Sequence, residues 1–156
     1  MSTGSDVRER QQRQLQNVWS AMLLAVVLYG VVGTVLLNVT GAADAPGAET
    51  ARTVMSVAAI VVGLLSVWWR RRFLADESVA PAAAIPFVRL QTHALIVWAL
   101  ADAVGVFGLV VAVLARDGWE FVPFGAAAIA LFVLHRPATL PWARVAAADA
   151  QPGAGT

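Results

Sequence analysis

Four apolar stretches, divided by short polar segments, set the pattern of this chain. They cover residues 18–39, 53–69, 93–115 and 119–134. A helix needs about 20 predominantly apolar residues to cross a hydrocarbon core of about 30 Å. The pattern therefore predicts an all-α integral membrane bundle of four transmembrane helices, with polar segments at 1–17 and 137–156 as tails, the first of which becomes the first turns of the first helix. The third stretch, HALIVWALADAVGVFGLVVAVLA, is long enough to cross a bilayer and carries one charge, Asp102, near its middle. A carboxylate at that depth is costly and is usually functional or paired within protein, so the other stretches are read as a frame around this one.

The segments between the stretches carry the turn signals. Gly41, Pro46 and Gly47 punctuate the first loop and Asp117-Gly118 the third, while Pro81 and Pro86 oppose a continuous helix through the second. The first stretch is longer than the 7–15 residues of a signal-peptide core and reads as an uncleaved span. Trp19 at its entry, and Trp68-Trp69 before Arg70-Arg71-Arg72, suit the membrane–water interface. The two histidines, His93 and His135, both fall at span ends and read as interfacial residues. Residues 138–156 read as a tail, with Trp142 and Arg144 resting on the surface.

Small residues recur at helical spacing. Ser56, Ala59, Gly63 and Ser66 line one face of the second span; Ala101, Gly105, Gly108 and Ala112 line one face of the third. Such faces let helix backbones approach closely in lipid. The expectation is a tight hairpin of the second and third spans, packed through Ala59, Gly63, Ala101, Gly105, Gly108 and Ala112.

Composition agrees with the pattern: 59% of the 156 residues are hydrophobic and 13% charged, where soluble domains carry about 25% charge. Charge placement adds an orientation. Of the 11 basic residues, all Arg, only Arg52 and Arg116 lie on one side of the four-span arrangement; the rest lie in the N-terminal tail, the second loop and the C-terminal segment. The positive-inside rule puts both termini in the cytoplasm, which implies a bacterial inner membrane. Arg70, Arg71 and Arg72 are then topology determinants or contacts for lipid headgroups. The chain has no Cys. It shows no Gly-rich phosphate loop, nucleophile triad or paired catalytic acids, and two distant histidines make no metal site. No enzyme activity, cofactor, metal or nucleic-acid partner is expected; the partners are the lipid bilayer and a second copy or another membrane protein.

Asp102 is the one residue in a span with chemistry to offer. A carboxyl group at bilayer depth is costly as an anion and is found where it is functional or paired. Two readings stay open: a site that binds a proton, or a polar group hydrogen-bonded to a neighbouring helix through Tyr29, Thr34, Ser56 or Ser66.

The run Leu100-Ala101-Asp102-Ala103-Val104-Gly105-Val106-Phe107-Gly108-Leu109-Val110-Val111-Ala112 resembles the ion-carrying helix of rotary ATP synthase c subunits, the proteolipids. Asp102 matches the family's ion-binding carboxylate, and Phe107-Gly108 its aromatic–glycine pair. The resemblance implies a proton-binding, oligomeric membrane subunit with the polar loop before this helix in the cytoplasm. The other reading is a structural or accessory membrane subunit without catalysis or transport. More broadly, the chain is similar to small four-span bacterial membrane proteins.

Overall fold

The computed structural model describes residues 4–40, 47–79, 85–142 and 145, with no strand among them. The loop bearing Asp44, the residues around Pro81, Arg144 and the end of the C-terminal segment lie outside the described residues, as do the side chains of Asp76 and Glu77. Four helices follow one another: α1 (Gly4–Thr40), α2 (Ala48–Val79), α3 (Phe87–Ala115) and α4 (Phe121–Leu134). Three of them, α1 to α3, are long and apolar enough to cross a membrane.

The helix ends follow local chemistry. Gly47 adopts a φ of 88°, open to glycine without strain, immediately before α2. Pro86 precedes α3, where its missing N–H costs nothing, and its carbonyl accepts from Arg89 and Leu90. At the far end of α3, Arg116 turns into the left-handed region and its N–H closes on the Ala112 carbonyl. Asp117 then accepts from the Trp119 N–H at 2.9 Å and caps a single 3-10 turn, Gly118–Glu120, that leads into α4.

The apolar window of α3 is 44% buried, against 11% for those of α1 and α2, so α3 is the centre of the bundle. It packs on all three other helices, most extensively on α2, while α2 and α4 barely meet. The small-residue faces, however, are used differently from the sequence expectation. Gly105 lies against Val26 and Tyr29 of α1, and Gly108 against Phe121 and Phe124 of α4. Ser56, Ala59 and Gly63 of α2 line an open groove of about 610 Å³ facing α4, with Val104 also in its lining. The α2–α3 hairpin forms, but the α3 glycines admit the neighbours on the other side. The aromatic ring of Phe121 explains why: it sits among Gly30, Gly108 and Gly125, one glycine from each of α1, α3 and α4, and a Cβ at any of them would crowd it.

The outer segments are more structured than tails. Helix α1 begins well before residue 18, and Leu15 is buried in the core. Beyond α4, a 3-10 turn (Pro137–Thr139) brings the chain back over α2 and α3, and Val145 packs with Phe73 and Leu90. Apolar residues at Leu140, Trp142 and Val145 supply the drive that a polar tail lacks. Helix α2 likewise continues to Val79, past the Arg70–Arg72 cluster.

Helix α4 has 14 residues, about 21 Å at 1.5 Å per residue, short of the hydrocarbon core. It nevertheless runs the working length of α2. Glu120, just before it, pairs with Arg52 at 3.1 Å, and its last carbonyl meets Arg70. Those two arginines are about 27 Å apart along α2 at helical rise.

Candidate functional site

Two polar sites lie within the bundle. The first is Asp102. Its Oδ2 accepts from the Tyr29 hydroxyl of α1 at 3.4 Å, a long hydrogen bond. Its Oδ1 is buried and has no hydrogen-bond partner. Of the four partners considered from the sequence, the structure brings Tyr29 to Asp102. Thr34 instead bonds back to the Gly30 carbonyl of its own helix, and Ser66 belongs to the second site. The half-buried Asp102 thus points along the α1–α3 interface.

The second site gathers at the carbonyl end of α4. The last carbonyls of a helix have no partner within it, and here each of the other helices supplies one. Trp19 of α1 donates its indole N–H to the Phe132 carbonyl at 3.0 Å. Arg70 of α2 donates to the Leu134 carbonyl. Trp98 of α3, 1% exposed, donates to the His135 carbonyl at 2.9 Å. Trp142 then donates to the Pro137 carbonyl at 2.9 Å. A guanidinium at this end also suits the negative pole of the helix dipole.

His135 lies at the heart of this clamp and is 2% exposed; burial replaces the interfacial position expected for it. Its Nδ1 is 3.0 Å from Arg70 NH1 and its Nε2 3.1 Å from Ser66 Oγ. Arginine has no acceptor, so Nδ1 must be the unprotonated nitrogen. The proton is on Nε2, which donates to Ser66 Oγ. Burial first, then the neighbouring Arg70 cation and His93, lower the His135 pKa to about 4. The imidazole is therefore neutral near pH 7.

That tautomer decides what the Ser66–His135 pair can do. A serine nucleophile needs a histidine whose Nε2 is free to take its proton, with Nδ1–H held by an acceptor. Here both roles are reversed, and Ser66 is fully buried. The pair is a structural hydrogen bond.

His93 is also buried, stacked on Phe73 with ring centroids 3.8 Å apart and an interplanar angle of 12°. It lines the same small internal space as Arg70 and His135. The histidines, distant in sequence, are thus brought to one end of the bundle. Among the described residues no group of three or more metal-ligating side chains forms.

No family model matches the chain, and neither the curated proteins nor the solved structures give a match.

The three clustered arginines divide. Arg70 turns inward to Leu134, His135 and Thr139, the last at 2.9 Å. Arg71 and Arg72 stay exposed, and the Arg72 guanidinium lies 5.9 Å from the centroid of the Trp68 ring. Among the packing residues, Ala59, Ala101, Gly105, Gly108 and Ala112 are buried and Gly63 is half-buried. Sequence reasoning missed Ser66–His135–Arg70, Trp98 and Phe73. The one available signal was Trp98, a buried-type residue with a polar tip in mid-span, which needs a partner.

Proposed function

We propose that the protein is a four-span membrane protein of a bacterial inner membrane, both termini cytoplasmic, that serves as a structural or accessory subunit without catalysis or transport. The observation that carries this reading is the clamp on α4. Trp19, Arg70 and Trp98, one side chain from each of the other helices, spend their polar groups on holding the end of the fourth. That is chemistry directed at the bundle's own geometry. The Arg-bearing ends lie on one side of such an arrangement, which supports the orientation by the positive-inside rule.

One observation favours a second reading, a c-subunit-like proton-binding subunit that works as an oligomer. Asp102 Oδ1 has no partner in the interior, and an unpaired carboxyl oxygen there can hold a proton.

Modification by a hydrophobic carbodiimide in native membranes separates the two, because such reagents attack protonated carboxyl groups from lipid. Mass spectrometry of wild type against Asp102→Asn gives the readout. The structural reading expects no labelling at Asp102 and normal folding of Asp102→Asn. Selective, pH-dependent labelling of Asp102 would replace it with the proton-binding reading.

A further inference from the structure

A cleft of about 410 Å³ opens between α2 and α3 at their Arg-bearing ends. Its rim carries Arg72 from α2 and Arg89 and Thr92 from α3; its walls carry Trp68, Trp69 and Ile96. Both arginines are exposed, and neither forms an ion pair with a carboxylate among the described residues. Two guanidinium groups from different helices at one mouth repel each other until an anion lies between them. Guanidinium forks suit phosphate oxygens in particular. The Thr92 hydroxyl adds a third polar group at the rim. Below the rim the lining is apolar apart from His93, which is stacked on Phe73, and it continues into the hydrophobic windows of both helices, so the fitting occupant is charged at one end and apolar at the other. Trp68 and Trp69, about one turn or less inside Arg72, are of the residue type favoured at the headgroup level.

We propose that this cleft binds the phosphodiester headgroup of an anionic phospholipid. The phosphate lies between Arg72 and Arg89, and the acyl chain descends past Ile96. The inference rests on the membrane reading above and goes beyond it by giving the bundle a lipid site of defined charge. Arg70 takes no part, because its donors are already committed to the Leu134 carbonyl at the end of α4 and to Thr139 beyond it. A zwitterionic lipid carries its own cation beside the phosphate and is the poorer fit.

The test is tryptophan quenching in vesicles of zwitterionic phosphatidylcholine that hold a small fraction of one brominated lipid. The brominated lipid is either phosphatidylglycerol or phosphatidylcholine, with bromines near the glycerol end of the chains. The full chain, reconstituted, is compared with Arg72→Gln/Arg89→Gln and with Arg71→Gln. The expected result is preferential quenching by brominated phosphatidylglycerol, with an enrichment of about 30-fold for two arginines at about 1 kcal/mol each. The preference disappears in the double variant and survives in Arg71→Gln. Equal quenching by both lipids in wild type, or a preference that survives the double substitution, overturns the site while leaving the membrane reading in place. No quenching by either lipid overturns the membrane reading and the site with it. Loss of the preference on adding millimolar inorganic phosphate at constant ionic strength would reassign the cleft to a free phosphate and overturn the lipid.

Discussion

Arg70 and His135 determine each other's state. The guanidinium donates to Nδ1 at 3.0 Å, which fixes the imidazole as the neutral Nε2–H tautomer and turns that proton towards Ser66. The imidazole and the Leu134 carbonyl, in turn, hold Arg70 inward while Arg71 and Arg72 remain outside. A residue that counts as one topology charge in the sequence is, in the fold, the tie between α2 and α4.

Replacing Arg70 should therefore cost stability where replacing Arg71 does not. Arg70→Gln leaves the Leu134 carbonyl and His135 Nδ1 without a charged donor. An unsatisfied group of this kind costs about 1–3 kcal/mol. Arg70→Lys should recover only part of the loss, since an ammonium cannot reproduce the planar fork. Unfolding in mixed micelles, followed by circular dichroism, gives the comparison. Equal effects of Arg70→Gln and Arg71→Gln would show that the clamp contributes nothing.

The same pair predicts an acid-sensitive fold. His135 has its pKa lowered to about 4 in the folded chain, against about 6.5 unfolded. The unfolded state therefore binds more protons between these values, and stability falls as pH drops through that window. Protonation removes the acceptor for Arg70 and puts a cation beside Arg70 of α2 and His93 of α3. The full stabilisation is present above about pH 6.5, and the loss by pH 4 is on the order of 3 kcal/mol. His135→Gln should be less stable at pH 7 and should shrink the dependence over that window without abolishing it, because buried His93 lines the same space. A wild-type profile as flat as the variant's would place the titration elsewhere.

What was legible in the sequence follows from how far each signal reaches. The central position of α3 was readable because a lone carboxylate in mid-span marks a helix that other protein surrounds, a property local to the helix. The close approaches were readable as small residues at helical spacing, but not whom they admit. Gly105 and Gly108 face α1 and α4 because Tyr29, Phe121 and Phe124 fill the space there, and nothing in the third stretch encodes its neighbours. Asp102 was visible as the lone charge in a span, and Tyr29 as one of several partners. The Ser66–His135–Arg70 group was not visible, because its members come from separate elements and meet only when α4 packs. Leu15 was passed over because polar neighbours mask a single apolar anchor, and Val145 because it is one larger apolar side chain among alanines.

The two seam glycines should respond oppositely to a methyl group. A Cβ at Gly108 would overlap the Cβ of Phe124 and press on the Phe121 ring. Backbone-near atoms cannot swing away, so Gly108→Ala should destabilise by about 1–3 kcal/mol. A Cβ at Gly63 would meet only the end of Leu131 at 3.7 Å, an ordinary contact. Gly63→Ala should be neutral, or stabilising by up to about 1 kcal/mol through helix propensity. Paired melting curves decide this, and a tolerated Gly108→Ala would contradict the close α3–α4 packing.

The short α4 makes the number of crossings a sharp prediction. Alone it is too short for the hydrocarbon core, yet its two ends are tied to α2 at Arg52 and Arg70, about 27 Å apart along that helix. If α2 crosses the bilayer, α4 must cross beside it, its ends completed by the Gly118–Glu120 turn and by the arginine side chains. The chain has no cysteine, so single-cysteine variants report without background. Gln12→Cys and Ala138→Cys should react with an impermeant maleimide only from the cytoplasmic side. Thr50→Cys and Trp119→Cys, the latter replacing a ring 79% exposed, should react only from the opposite side. Trp119→Cys and Ala138→Cys reacting from one side would make α4 a re-entrant segment. The tie at Arg52–Glu120 would then have to break in the membrane, and the clamp at the other end would hold a helix that never crosses.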